Sequence, residues 1–264
     1  MNNNPIGVFD SGIGGLTVVK EIIKVLPNES IIYLGDTERV PYGTKDRETI
    51  TKFALELTRF LLKKSVKFLV VACNTISATC LEEIEKISPV PVLGVIKPAA
   101  VLAAALTKNN KVGVLATRAT VSSGAYTREL RKIKSSIEVF TQACPLFVPI
   151  IEEGLLDHPI AKIAVDEYLK HGFEGDCDTL ILGCTHYPLI EDIIQKTVGS
   201  KIKLIDSAKP TARELKRLLT EKKLLDDGKA EYEILLTDTP PIMQKTIDMF
   251  FENKTPAKLK KVYL

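Results

Sequence analysis

One short pattern occurs twice in this chain and limits its fold more than any other feature. An apolar run of β-type residues ends in cysteine, passes through small polar residues and enters a helical pattern. The first copy is Leu69-Val70-Val71-Ala72-Cys73-Asn74-Thr75, the second Leu180-Ile181-Leu182-Gly183-Cys184-Thr185-His186. A strand that feeds straight into a helix belongs to a parallel sheet, because parallel strands need a crossover to return. The rest of the chain keeps to this plan. Short β-rich runs at 6–9, 31–34, 68–72 and 92–96 alternate with helical spacing at 16–26 and 49–64, and four more runs follow at 111–115, 137–141, 179–182 and 202–205. Gly7-Val8-Phe9-Asp10 aligns on Gly113-Val114-Leu115-Ala116 at an offset of 106 residues, and Cys73 on Cys184 at an offset of 111. Offsets that drift by only a loop's length argue for duplication of one α/β unit.

The expected fold is therefore α/β, with two pseudo-symmetric domains, each a mainly parallel sheet flanked by helices, and the active site in the cleft between them. Residues 207–225 read as a further helix, Asp226-Asp227-Gly228 as a loop and 231–236 as a late strand. These pieces follow the second set of strands and are expected to rejoin the first domain, since such folds usually keep their termini together. The first domain is then 1–97 plus 207–264 and the second 98–206, with hinges near Lys97-Pro98 and Asp206.

A chain of 264 residues with 45% apolar content can fill two cores. Net charge is +3 with both signs interspersed, so no basic face announces nucleic acid, and a small-molecule substrate fits better. The basic tail at 254–261 reads as a solvated end. No positive n-region or apolar h-region opens the chain, and the most apolar stretch, 90–106, is broken by Lys97 and Pro98. Neither a secretory signal nor a membrane span is expected. Five cysteines form an odd set without disulfide-module spacing, which suits a reducing cytoplasm.

The candidate chemistry lies at strand ends, where open α/β sheets bind ligands. Asp10-Ser11-Gly12-Ile13-Gly14-Gly15 follows a strand and opens a helix, so its glycines allow close backbone approach and the helix end offers free amides. It also resembles part of a dinucleotide fingerprint, with Asp36 about where a ribose-binding acid belongs. Against that, Thr17 occupies the third glycine position and Asp10 puts negative charge at the mouth of a phosphate cradle. Asp10 can be a plain helix cap, or can assist a neighbouring thiol or bind an ammonium.

Cys73 and Cys184 each sit at a strand-to-helix junction, where the helix end favours a thiolate. A buried cysteine is also an ordinary small core residue. Two thiols facing one pocket from opposite sides can take a proton from one face of a carbon and return one to the other, which is a racemase design. Cys80, Cys144 and Cys177 lack such settings and read as structural. Cys184-x-His186 lacks further ligands at zinc-site spacing, so His186 makes better sense as an acid–base helper than in a metal site. Glu152-Glu153-Gly154 reads equally as a solvated helix end or as part of the site.

Together these residues resemble glutamate racemases of bacterial cell-wall synthesis, over the whole chain. Phe9-Asp10-Ser11-Gly12-Ile13-Gly14-Gly15-Leu16, Pro41-Tyr42-Gly43, Ala72-Cys73-Asn74-Thr75 and Gly183-Cys184-Thr185-His186-Tyr187-Pro188 look like that family's signatures in its order. Related aspartate racemases carry a different residue in the histidine position. The resemblance implies that Cys73 and Cys184 are the two acid/base groups, that Asp10 supports Cys73, and that His186, with Glu152 behind it, supports Cys184. It implies substrate contacts from Asp10, Ser11, Pro41, Tyr42, Gly43, Asn74, Thr75, Thr185 and His186, with Thr117 and Thr120 as carboxylate binders. It further implies no cofactor and no metal, glutamate as the small-molecule partner, a homodimer, and D-glutamate made for peptidoglycan. An aspartate racemase, or a two-lobed amino-acid-binding protein without chemistry, is the competing expectation.

Overall fold

The computed structural model describes residues 3–172, 176–239, 247–248, 250–251 and 257–264. The first half runs β1 (Ile6–Asp10), α1 (Leu16–Val25), β2 (Ile31–Gly35), α2 (Arg47–Leu62), β3 (Phe68–Val71), α3 (Asn74–Ile87), β4 (Val92–Gly94) and α4 (Ile96–Leu106). The second half runs β5 (Lys111–Ala116), α5 (Arg118–Ser123), α6 (Ala125–Ile133), β6 (Glu138–Ala143), α7 (Phe147–Glu152), α8 (Pro159–Gly172), β7 (Thr179–Gly183), α9 (Glu191–Val198) and β8 (Lys203–Asp206). It ends with α10 (Ala208–Glu221), β9 (Tyr232–Leu236) and β10 (Lys258–Lys261).

These strands form two sheets, ordered β10-β9-β2-β1-β3-β4 and β6-β5-β7-β8, in which every described pairing is parallel. β1, β3 and β7 are buried at every residue, as expected of strands covered by helices on both faces. The order β2-β1-β3-β4 repeats as β6-β5-β7-β8. Register makes the repeat specific. Phe9 pairs with Val71 and Leu115 with Leu182, so Cys73 and Cys184 each stand two residues beyond the partner of the same central-strand position. Phe9 and Leu115 lie 106 residues apart, and Val71 and Leu182 lie 111 apart, the same offsets as those read from the sequence.

Local chemistry sets several boundaries. α2 begins two residues before the expected helix because Asp46 caps it, accepting a hydrogen bond from the Thr49 N–H at 2.8 Å. The run at 92–96 stops being strand at Gly94. Lys97 and Pro98, expected as a hinge, lie in the first turn of α4, where proline costs nothing because that N–H has no intrahelical acceptor. α4 is rich in alanine and packs against α6, α10 and β7, so it joins the two halves as a helix rather than as a loose link. Asp206 is likewise ordered, its carboxylate accepting from the N–H groups of Ala208 and Lys209, each at 2.9 Å.

After α10, β9 adds beside β2 and β10 beside β9. The basic tail is thus not simply a solvated end. Lys258–Lys261 is an edge strand on which the exposed Lys260 and Lys261 blunt an otherwise open edge, while 254–256 lies outside the described residues.

Candidate active site

Both cysteines follow the carboxyl ends of central strands. Cys73 is the last extended residue before α3, and Ser11 in the loop after β1 reaches it, Oγ to Sγ at 3.4 Å. Asp10 lies behind that pair with no exposed surface. Its Oδ2 accepts the Gly15 N–H at 3.0 Å, but Gly15 itself is the N-cap residue of α1 and that helix has no side-chain cap, so Asp10 braces the loop rather than capping the helix, while its Oδ1 has no hydrogen-bond partner among the described residues. Burial pushes the Asp10 carboxyl up, against the charge of His186 and the hydrogen bonds from Gly15 and Cys73. Burial, followed by the charge of Asp10, pushes the Cys73 thiol well up. The first half therefore presents a protonated sulfur.

The second half is built differently. His186 Nδ1 stands 3.9 Å from Cys184 Sγ, and its Nε2 stands 2.9 Å from Glu152 Oε1 at the end of α7. Burial would lower the His186 pKa. The hydrogen bonds to Cys184 and Glu152, with the charges of both, outweigh it and raise the value from 6.5 to about 10. At neutral pH the ring is an imidazolium, the partner a negative sulfur needs. A group raised in this way stabilises the fold fully below its unfolded value, and that contribution fades as pH climbs towards about 10. In Glu152→Gln the imidazolium loses an anionic partner. The alkaline limb of the kcat/KM profile is then expected to move to lower pH, and an unmoved limb would show that Glu152 does not set the charge of His186.

The two sulfurs line one cavity of about 110 Å³. Its wall takes Ser11, Pro41, Tyr42, Gly43, Cys73, Asn74 and Thr75 from the first half, and Thr117, Glu152, Cys184, Thr185 and His186 from the second. Asp10 and Thr120 are not in the wall. Asp10 stands behind Cys73, and Thr120 stands behind Thr117, their hydroxyl oxygens 3.1 Å apart. Thr117 in turn meets Thr75 across the halves at 2.9 Å, and Thr17 donates to the Thr185 carbonyl at 3.1 Å. Gly43 permits the first contact, since a Cβ there would lie 2.7 Å from Thr117 Cβ.

Tyr42 is buried with its hydroxyl donating to Asp36, which also accepts from Arg39 Nε at 2.6 Å and Thr237 Oγ1 at 3.0 Å. Asp36 is thereby closed to any ribose. The loop after β1 crosses so near β2 that a Cβ on Gly35 would sit 2.2 Å from the Gly12 carbonyl. The dinucleotide reading fails on both counts.

Cys144 corrects the expectation that it is purely structural, because it lines the same cavity. Its N–H bonds the Ala116 carbonyl at 2.8 Å just as the Asp36 N–H bonds the Asp10 carbonyl at 3.2 Å, so Cys144 is the topological counterpart of Asp36. The internal repeat carried that signal, and the local sequence did not. Arg118, Thr44, Val40, Pro145, Val148 and Pro149 complete the wall without any motif to mark them. Cys80 and Cys177 are buried away from it. Among the described residues no group of three or more His, Cys, Asp or Glu side chains is placed to hold a metal ion, and no helix is long and apolar enough to cross a membrane.

The sequence matches the Asp/Glu/hydantoin racemase family over residues 6–215. The glutamate racemase of Geobacter metallireducens is 48% identical over 237 residues, covering 89% of this chain and 88% of its own. The crystal structure of a Bacillus anthracis glutamate racemase superposes with a TM-score of 0.96 at 38% identity, covering 100% of this chain and 99% of that one. The Francisella tularensis glutamate racemase, solved in complex with D-glutamate, superposes at 0.93 with 44% identity, covering 100% and 98%. With two sheets of one topology, a cysteine at the matching end of each, and likeness along nearly its full length, the chain belongs to the Asp/Glu/hydantoin racemase family, among its glutamate racemases.

Proposed function

We propose that this chain interconverts L- and D-glutamate by passing an α-proton between two thiols, without metal or organic cofactor. The observation that carries the reading is that Cys73 and Cys184 stand at register-equivalent positions of two sheets and line one cavity. In one direction the Cys184 thiolate, paired with the His186 imidazolium, takes the α-proton. The electron pair left on carbon spreads into the α-carboxylate. The Cys73 thiol then gives its proton to the opposite face and becomes the thiolate. In the other direction the roles exchange.

Such an α-proton is a very weak acid, so the developing charge must be met by preorganised donors in a site that excludes water. The hydroxyls of Ser11, Thr75, Thr117 and Thr185 and the Asn74 amide supply donors in the wall, with Asp10 and Thr120 behind them. The family resemblance supports three further parts of the reading. D-glutamate is destined for peptidoglycan, the chain works in the cytoplasm, and it functions as a homodimer. The two halves, 1–97 plus 207–264 and 98–206, act as the lobes that enclose the substrate.

Proton NMR of L-glutamate incubated with the purified protein in D₂O is the direct test. The α-proton signal is expected to disappear as D-glutamate forms, and retention of that signal would leave only a binding protein. Aspartate is expected to turn over at least about a hundredfold less efficiently in kcat/KM, because a shorter side chain leaves fixed donors unmatched and shifts the α-carbon between the thiols. Comparable turnover of aspartate would replace glutamate as the substrate.

A further inference from the structure

We infer that Tyr126, helped by Ser207, is a positioning residue that fixes the Asn74 side-chain amide with an N–H turned to the substrate. This rests on the proposed racemase reading, in which Asn74 meets the substrate. Asn74 opens α3 immediately after Cys73 and lines the cavity, and it is almost fully buried. An asparagine amide can be turned either way, and the two orientations offer opposite groups to a ligand. Here the orientation is set from outside the first sheet. Tyr126 on α6 donates its hydroxyl to Asn74 Oδ1 at 2.6 Å, and Asn74 Nδ2 donates to Ser207 Oγ at 3.2 Å. Tyr126 is 2% exposed, and burial, then the nearby charge of Cys184, pushes its phenol well above the usual range, so it remains an O–H and acts as the donor. The carbonyl end of the amide is thus occupied, and one hydrogen of the NH₂ group goes to Ser207. The second hydrogen is left for an anionic oxygen in the cavity, where a carboxylate of glutamate would sit.

The arrangement also links the amide to the meeting of the halves. Tyr126 belongs to the second sheet's layer, Ser207 to the turn between β8 and α10, and Asn74 to the first sheet. With the second half withdrawn, Asn74 loses Tyr126, the partner that holds its carbonyl, while Ser207 stays with the first domain, and the carbonyl is free to turn towards the substrate carboxylate and repel it. Correct orientation is therefore achieved only with the halves together.

Tyr126→Phe keeps the ring and deletes only the donor. The expected result is a fall in kcat/KM of about ten- to hundredfold, carried mainly by a higher KM, with the melting temperature close to that of the parent. Ser207→Ala is expected to shift KM in the same direction by less. The decisive measurement is the cycle with Asn74→Ala. If Tyr126 acts through Asn74, Tyr126→Phe changes kcat/KM by less than about twofold once Asn74 is gone, because the two losses are not independent. Additive losses, or normal kinetics in Tyr126→Phe, would overturn the inference. If the parent protein itself fails to racemise glutamate, it is the proposed function that falls, and a calorimetric titration of glutamate against the parent and Tyr126→Phe still reads the orientation. A tenfold weaker affinity in the variant supports it, and equal affinity refutes it.

Discussion

Cys73→Ser and Cys184→Ser are each expected to lose racemisation in both directions by at least about three powers of ten in kcat. Each turnover needs one sulfur as base and the other as acid, so neither direction survives the loss of one. Serine keeps the shape of the site but is a far weaker acid than cysteine, and its alkoxide is inaccessible near neutral pH. The two losses are expected to be similar in size although the two sites differ, with Cys73 buried beside Asp10 and Cys184 beside an imidazolium. Chiral chromatography from each enantiomer separately is the measurement. Turnover within about tenfold of the parent by either variant would exclude the two-thiol mechanism.

Gly14→Ala is expected to lower kcat/KM by about a hundredfold and to destabilise the protein by about 1–3 kcal/mol. A Cβ at this position would lie 2.4 Å from Thr185 Oγ1 and 2.5 Å from the His186 ring. His186 cannot simply retreat, since its Nε2 is tied to Glu152 at 2.9 Å. Thr185 is tied as well, through its carbonyl to Thr17 at 3.1 Å. The methyl group must therefore either spread the halves or push His186 off Cys184, and proton transfer between fixed groups tolerates neither. Steady-state kinetics with thermal denaturation on the same preparation separates the two effects. Unchanged activity would mean that the halves do not approach this closely during turnover.

The alternation of strand and helix, the duplication, and the two cysteines at strand ends were all legible in the sequence. Each is written in contiguous residues, since apolar period, glycine placement and the strand-to-helix junction are local properties. His186 was legible because it lies two residues from Cys184, and Asp10 because it ends the strand that opens the chain. The start of α2 moved for a capping reason, the Asp46 carboxylate accepting the Thr49 N–H, that acts within one helical turn.

What only the tertiary structure decided are the partners of buried polar groups. Asp36 looked like a ribose acid because nothing nearby in sequence announces that Thr237, 201 residues on, will occupy it. Cys144 looked inert because its place beside Cys184 depends on two strands flanking β5, not on its own neighbours. Asn74 is oriented by Tyr126 and Ser207, 52 and 133 residues away. A buried donor or acceptor must be satisfied, but the requirement does not say by whom. Local sequence can place a polar side chain at the end of a strand. The choice of its partner is made when two sheets, folded separately in sequence, bring their ends to the same cavity.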